Sequence, residues 1–129
     1  MFNIIVATHG NLGHNLVETV KMFTGETSNL AAVSLLQGSG PDTLSKDLKD
    51  SINKCDKNEG VLILVDLMGG TPGNSAIKLM LEEENITVVT GVNLPMLLEA
   101  ILSRENFNNL IEFSESIKNS AVSGIKLHK

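Results

Sequence analysis

The chain has no tryptophan, no tyrosine, four phenylalanines and one cysteine. So few aromatic rings leave no flat surfaces on which to stack nucleobases or flavin rings. A single cysteine, Cys55, forms no internal disulfide, so nothing in the sequence requires an oxidising compartment. Positive charge is also scarce. Ten Lys and Arg, scattered rather than clustered, stand against fifteen Asp and Glu for a formal net charge of −5, which argues against a nucleic-acid partner. No apolar run approaches the roughly 20 residues that cross a bilayer, and no basic region precedes the first apolar segment as in a secretory signal. The expectation is a cytoplasmic protein. Its 129 residues, 42% hydrophobic, suit one domain over 1–129 with a real core.

What the chain does have is alternation. Ile4-Ile5-Val6-Ala7-Thr8 is a β-branched apolar run of the kind found in strands buried on both faces. It stops at His9-Gly10, and Leu12, Leu16, Val20 and Phe23 then follow at helical spacing. A second strand is expected over residues 30–36, followed by a Gly- and Pro-containing loop. Leu44, Leu48 and Ile52 mark the next helix, with Asp42 or Thr43 as its N-cap. Val61-Leu62-Ile63-Leu64-Val65 is the most hydrophobic strand and ends at Asp66. A helix over 75–83, a strand Ile86-Thr87-Val88-Val89-Thr90, a helix from Met96 to residue 102 and a last helix carrying Leu110, Phe113, Ile117 and Ala121 complete the pattern. Four β-α units imply an α/β fold, a doubly wound, mostly parallel four-stranded sheet with helices on both faces. A tail at 123–127, with Ile125 and Leu127 alternating around Lys126, is expected as one more strand, at a sheet edge or donated to a neighbouring copy.

Three strand-end loops carry the chemistry. They are Thr8-His9-Gly10, Asp66 with Gly69-Gly70-Thr71-Pro72, and Gly91-Val92-Asn93-Leu94-Pro95-Met96. Parallel strands bring all three to one edge of the sheet, where open α/β sheets bind ligands. An imidazole that accepts a group on one nitrogen needs its other nitrogen kept as N–H, and Asp66 is positioned to be the acceptor. The Gly69-Gly70-Thr71 loop has the composition of an anion cradle, with backbone N–H groups, a hydroxyl and the positive end of the following helix. Together with Gly10, these residues describe a phosphohistidine site centred on His9. Plainer roles stand beside these: Asp66 as a cap for loop amides, Gly69-Gly70 as a tight turn, and Asn93-Leu94-Pro95 as a helix start with Pro95 at its first position. His14 lies off its helix's stripe, and His128 lies in the tail. Cys55 is expected to be a small buried hydrophobe.

The order and spacing of Ala7-Thr8-His9-Gly10, Leu64-Val65-Asp66, Gly69-Gly70-Thr71-Pro72 with Asn74, and Gly91-Val92-Asn93-Leu94-Pro95-Met96-Leu97 resemble the IIA component of the mannose-family sugar phosphotransferase system. The resemblance covers nearly the whole chain. It implies that His9 is phosphorylated by the histidine phosphocarrier protein and passes the group to a IIB component, which phosphorylates sugar entering through membrane subunits. It also implies that Asp66 orients the histidine, that Thr71 stands at the phosphate, and that the protein is a homodimer exchanging its C-terminal strand. Asn93, Pro95 and Met96 are taken as partner contacts. No metal or cofactor is expected, membrane association is indirect, and IIB is expected as a separate chain. A related branch, the dihydroxyacetone phosphotransferase subunit, fits the Gly-Gly-Thr-Pro and Val-Asn-Leu-Pro motifs less well. A flavodoxin-like mononucleotide-binding module, with residues 8–13 as its phosphate loop, is the rival from another class.

Overall fold

The computed structural model describes residues 1–56 and 58–129. Four strands, β1 (Asn3–His9), β2 (Leu30–Leu35), β3 (Val61–Val65) and β4 (Ile86–Thr90), form one sheet in the order β2-β1-β3-β4, and every pairing is parallel. Five α-helices are interleaved: α1 (Leu12–Thr24), α2 (Pro41–Asn53), α3 (Thr71–Glu82), α4 (Leu94–Ser103) and α5 (Leu110–Ser123). No helix among the described residues is long and apolar enough to cross a membrane.

The period-two geometry of the strands sorts the core into two clusters. Ile4, Val6, Leu62 and Leu64 face one side, against Val17 and Val20 of α1, Leu97 and Ala100 of α4, and Phe113, Ile117 and Ala121 of α5. Ile5, Ala7, Ile63 and Val65 face the other, against Leu44, Leu48 and Ile52 of α2 and Ala76 and Leu79 of α3. Because β1 and β3 are covered on both faces, they are apolar from Ile4 and Val61 up to their carboxyl ends; the buried Asn3 at the start of β1 donates its side-chain amide to the Gly60 carbonyl. The chain moves from β1 out to β2, then crosses back over β1 to β3. The ends of β1 and β3 therefore flank the point where the winding reverses.

Several boundaries differ from the sequence reading. Leu12 and Phe23 are exposed; of the expected stripe Val20 is buried and Leu16 packs against the core, and Gly13 and Val17 complete the buried face of α1. The N-cap of α2 is Gly40, with Pro41 at the first helical position and Asp42 in the first turn. α3 starts at Thr71 rather than residue 75, and α4 at Leu94. At the C-terminus, Ser123 closes α5 and residues 124–129 form no strand in the single chain; the tail strand is not present. Cys55 follows α2, partly buried. Its thiol donates to the Ser51 carbonyl at 3.5 Å, and burial pushes its pKa up.

The opposite edge of the sheet is tied by Arg104, only 2% exposed, in a short 3-10 turn after α4. Its two terminal nitrogens donate to the carbonyls of Phe2 (3.3 Å), Ser28 (2.6 Å) and Asn29 (3.1 Å) and to Thr27 Oγ1 (2.9 Å). Asn29 sits at φ +56°, a left-handed conformation that the guanidinium's grip on three successive residues helps to maintain. Arg104→Ala removes these four hydrogen bonds and is expected to lower unfolding free energy by about 2–3 kcal/mol. A urea titration checks this, and an unchanged midpoint would mean the turn stands without the clamp.

Candidate active site

The site begins with Thr8, which is fully buried although polar. Its hydroxyl accepts the Gly13 backbone N–H at 2.7 Å, an otherwise unpaired donor in the first turn of α1. A Cβ on Gly13 would lie 3.1 Å from both Thr8 Oγ1 and the Val6 carbonyl, so glycine lets α1 seat directly on β1. Gly10 makes the turn between them at φ +56° and donates its N–H to the Leu35 carbonyl at 2.8 Å. His9, between Thr8 and Gly10, is thus delivered by a backbone fixed on both sides.

Asp66, the first residue after β3, meets it. Asp66 Oδ2 accepts the His9 backbone N–H at 2.9 Å and lies 2.8 Å from His9 Nδ1, while Oδ1 accepts the Leu67 N–H at 2.9 Å. The carboxylate is therefore both the ring's partner and the loop cap, the two roles left open by the sequence. Its side chain is 11% exposed against 45% for His9. Burial of Asp66 disfavours its charge, but the His9 backbone N–H, the His9 ring and the Leu67 N–H outweigh it and hold the carboxyl below its ordinary 3.8. A carboxyl lowered in the fold adds stability above that ordinary value, and the gain is lost as pH falls through the lowered one. Ionised, Asp66 only accepts hydrogen bonds. The neutral imidazole then carries its proton on Nδ1 and presents the Nε2 lone pair outward.

The ring rests on Gly70. A Cβ there would lie 2.7 Å from His9 Cε1 and 3.3 Å from Nε2, so no side chain fits. Gly69, at φ +87°, turns the loop, and Asn74 pins it with its side-chain N–H to the Gly69 carbonyl (3.2 Å) and its backbone N–H to the Gly70 carbonyl (2.8 Å). α3 starts immediately afterwards with Thr71, so its positive end lies beside the loop that touches the ring.

The third loop is attached more loosely to this arrangement. The Val92 N–H donates to the carbonyl of Val65, the residue before Asp66. Asn93 caps α4 by accepting the Met96 N–H at 2.9 Å and donates to the Ala121 carbonyl at 3.4 Å. Pro95 is the exposed second residue of α4, and Met96 is 2% exposed within the core. Of the three proposed partner contacts, Met96 is thus corrected to a packing residue, because its side chain offers a partner no surface. His14 is turned to β2, with Nδ1 2.8 Å from Ser34 Oγ, and His128 lies in the exposed tail. Among the described residues no group of three or more His, Cys, Asp or Glu could hold a metal ion. The sequence places Thr8 and Asn74 in the loops around the site without giving either a role, and gives Gly13 none; a lone hydroxyl in an apolar strand is the available signal for Thr8.

A histidine fixed through Nδ1, open at Nε2 and seated beside a helix N-terminus also has relatives. The family described as "PTS system fructose IIA component" (PTS, phosphotransferase system) matches residues 3–118. The PTS system fructose-specific EIIA component of Bacillus subtilis is 36% identical over 121 residues, 89% of this chain and 83% of that protein. The PTS system mannose-specific EIIAB component of Escherichia coli K12 is 32% identical over 126 residues, 95% of this chain. The match covers 39% of that relative's length. The solved structure of phosphotransferase system component EIIA from Streptococcus agalactiae superposes with a TM-score of 0.90 at 28% identity, over 98% of this chain and 96% of that one. Motif order, sheet topology and these matches agree: the chain belongs to the mannose-type IIA family of the sugar phosphotransferase system.

Proposed function

We propose that this protein is a phosphocarrier in sugar uptake, accepting a phosphoryl group on His9 Nε2 from the histidine phosphocarrier protein and passing it to a IIB component. The observation that carries this reading is the 2.8 Å approach of His9 Nδ1 to Asp66 Oδ2, which leaves Nε2 as the open nitrogen. In the transfer, the N–P bond of the donor breaks as one forms to Nε2, and Nδ1 keeps its proton throughout. Asp66 offsets the positive charge that develops on the ring, and the Gly70-Thr71 start of α3 offers donors to the phosphoryl oxygens. The rival mononucleotide-binding reading fits less well. α1 begins only two residues after Gly10, and a chain with no tryptophan or tyrosine has little to stack a flavin or nucleobase on.

Incubation with phosphoenolpyruvate, the first phosphotransferase enzyme and the phosphocarrier should add one acid-labile, base-stable phosphoryl group by intact mass. His9→Ala should add none. A gain in that variant would move the site elsewhere.

Asp66→Asn tests the orienting role. Each Asp66 oxygen faces N–H donors, so an amide satisfies only one side. With its oxygen on His9 it leaves the Leu67 N–H facing an NH₂, and in either orientation the ring loses its counter-charge. The variant should fold normally and transfer up to about a hundredfold more slowly. Stopped-flow transfer at the wild-type rate would reduce Asp66 to a loop cap.

The functional unit is proposed to be a homodimer joined by the tail. Ile125 and Leu127 are 75% and 83% exposed in the single chain, a state that pairing with a sheet edge of a second copy relieves. Two such side chains are worth on the order of 3–6 kcal/mol before ordering costs. Light scattering at micromolar concentration should therefore give a dimer, and deletion from Gly124 onward should weaken it and lower Tm while His9 still accepts phosphate. A monomeric full-length chain would refute the exchange.

A further inference from the structure

The edge of the sheet that holds His9 is poor in cations. The connections from the strand ends into the helices, residues 9–14, 35–42, 66–74 and 91–96, contain no lysine or arginine. Among the described residues no lysine or arginine pairs with His9 or Asp66. A phosphoryl dianion on Nε2 would therefore stand beside a carboxylate with only neutral donors around it. Phosphoryl oxygens are ordinarily met by a Lys, Arg or metal ion.

The missing cation lies close in the chain. α5 ends on this same edge: a Cβ on Gly124 would lie 2.9 Å from Pro95, and Asn93 reaches the Ala121 carbonyl. The next residues, Ile125-Lys126-Leu127-His128-Lys129, are exposed and hold two of the ten cationic side chains of the protein. In extended form Ile125 and Leu127 share one face and Lys126 and His128 the other, so the apolar face can anchor while the other presents charge. Two extended residues carry Lys126 about 7 Å beyond Gly124, and its four-carbon side chain extends that reach. The ends of β4 and β1 lie two strand spacings apart, roughly 10 Å, with β3 between them.

We infer that the segment after α5 completes the site, with the Lys126 ammonium pairing with the phosphoryl oxygens on His9. The inference rests on His9 as the phosphoryl acceptor. Lys126 then acts on the stability of the phosphorylated form and leaves the unphosphorylated ring untouched. The tail belongs either to the same chain or to a second copy, and the chemistry is the same for both.

The test is the phosphoryl-exchange equilibrium between this protein and the phosphocarrier, measured for wild type, Lys126→Gln and Lys126→Arg. Lys126→Gln keeps both apolar tail residues and should shift the equilibrium towards the carrier by about threefold, the size of an exposed ion pair. Lys126→Arg should restore it, and the deficit should disappear in about 1 M salt, where charges are screened within roughly 3 Å. Mixing Lys126→Gln with a His9→Ala chain of intact tail assigns the source. Recovery means the cation comes from a second copy, and no recovery means it comes from the same chain. An equilibrium unchanged by Lys126→Gln at low salt overturns the inference while leaving the His9 reading intact. A wild-type chain that takes up no phosphoryl group at all overturns the His9 reading first.

Discussion

One oxygen atom, Asp66 Oδ2, joins the end of β3 to the end of β1 at two points. It takes the backbone N–H of His9 and faces the ring of the same residue. The first contact fixes where the chain passes and the second fixes how the side chain points. This arrangement works because both strands are buried on both faces up to the residue before the site. The positions of His9 and Asp66 are thereby set by the packing of Val6, Ala7, Leu64 and Val65 rather than by a flexible loop. The reversal of winding between β1 and β3 opens the crevice in which the pair meets.

The price of that placement is a polar cluster at the end of two apolar strands, and the neighbouring groups meet it locally. Thr8 spends its hydroxyl on α1, Asn74 spends its amide on the Gly69-Gly70 turn, and Asp66 spends its second oxygen on Leu67. No buried side-chain nitrogen or oxygen among the described residues lacks a partner. The far end of the sheet uses the same logic, with Arg104 closing the turn that feeds β2.

Much of this was legible in sequence where one signal acted alone. β3 is Val61–Val65 as read, and the Leu44, Leu48, Ile52 stripe is the buried face of α2, because hydrophobicity alone decides both. The starts of α2 and α3 lie earlier than the sequence reading puts them, because Pro41 and Pro72 look like loop punctuation but preset helical φ; Pro95 is the one proline that the sequence also offers as a helix start. The stripe of α1 holds at Leu16 and Val20 and fails at its two ends, where Leu12 and Phe23 stay outside, because the closest approach to the sheet is made by Gly13, which carries no hydrophobic signal. His9 and Asp66 stand out as candidates because a polar residue ending a buried strand is conspicuous. The sequence also pairs Asp66 with the His9 ring, since parallel strands bring both loops to one edge; the second contact, to the His9 backbone N–H, depends on β3 lying directly beside β1, which the chain order does not fix.

Gly70 carries a further consequence, for how this sequence can change. Its φ of −80° is open to any amino acid, so only the space taken by the His9 ring demands glycine. Every replacement brings a Cβ, and a Cβ meets the imidazole at 2.7 Å whatever follows it. The position has no mild substitution from which drift could start. A descendant that altered Gly70 would have to tilt the histidine in the same step, and with it the direction from which any incoming group reaches the ring.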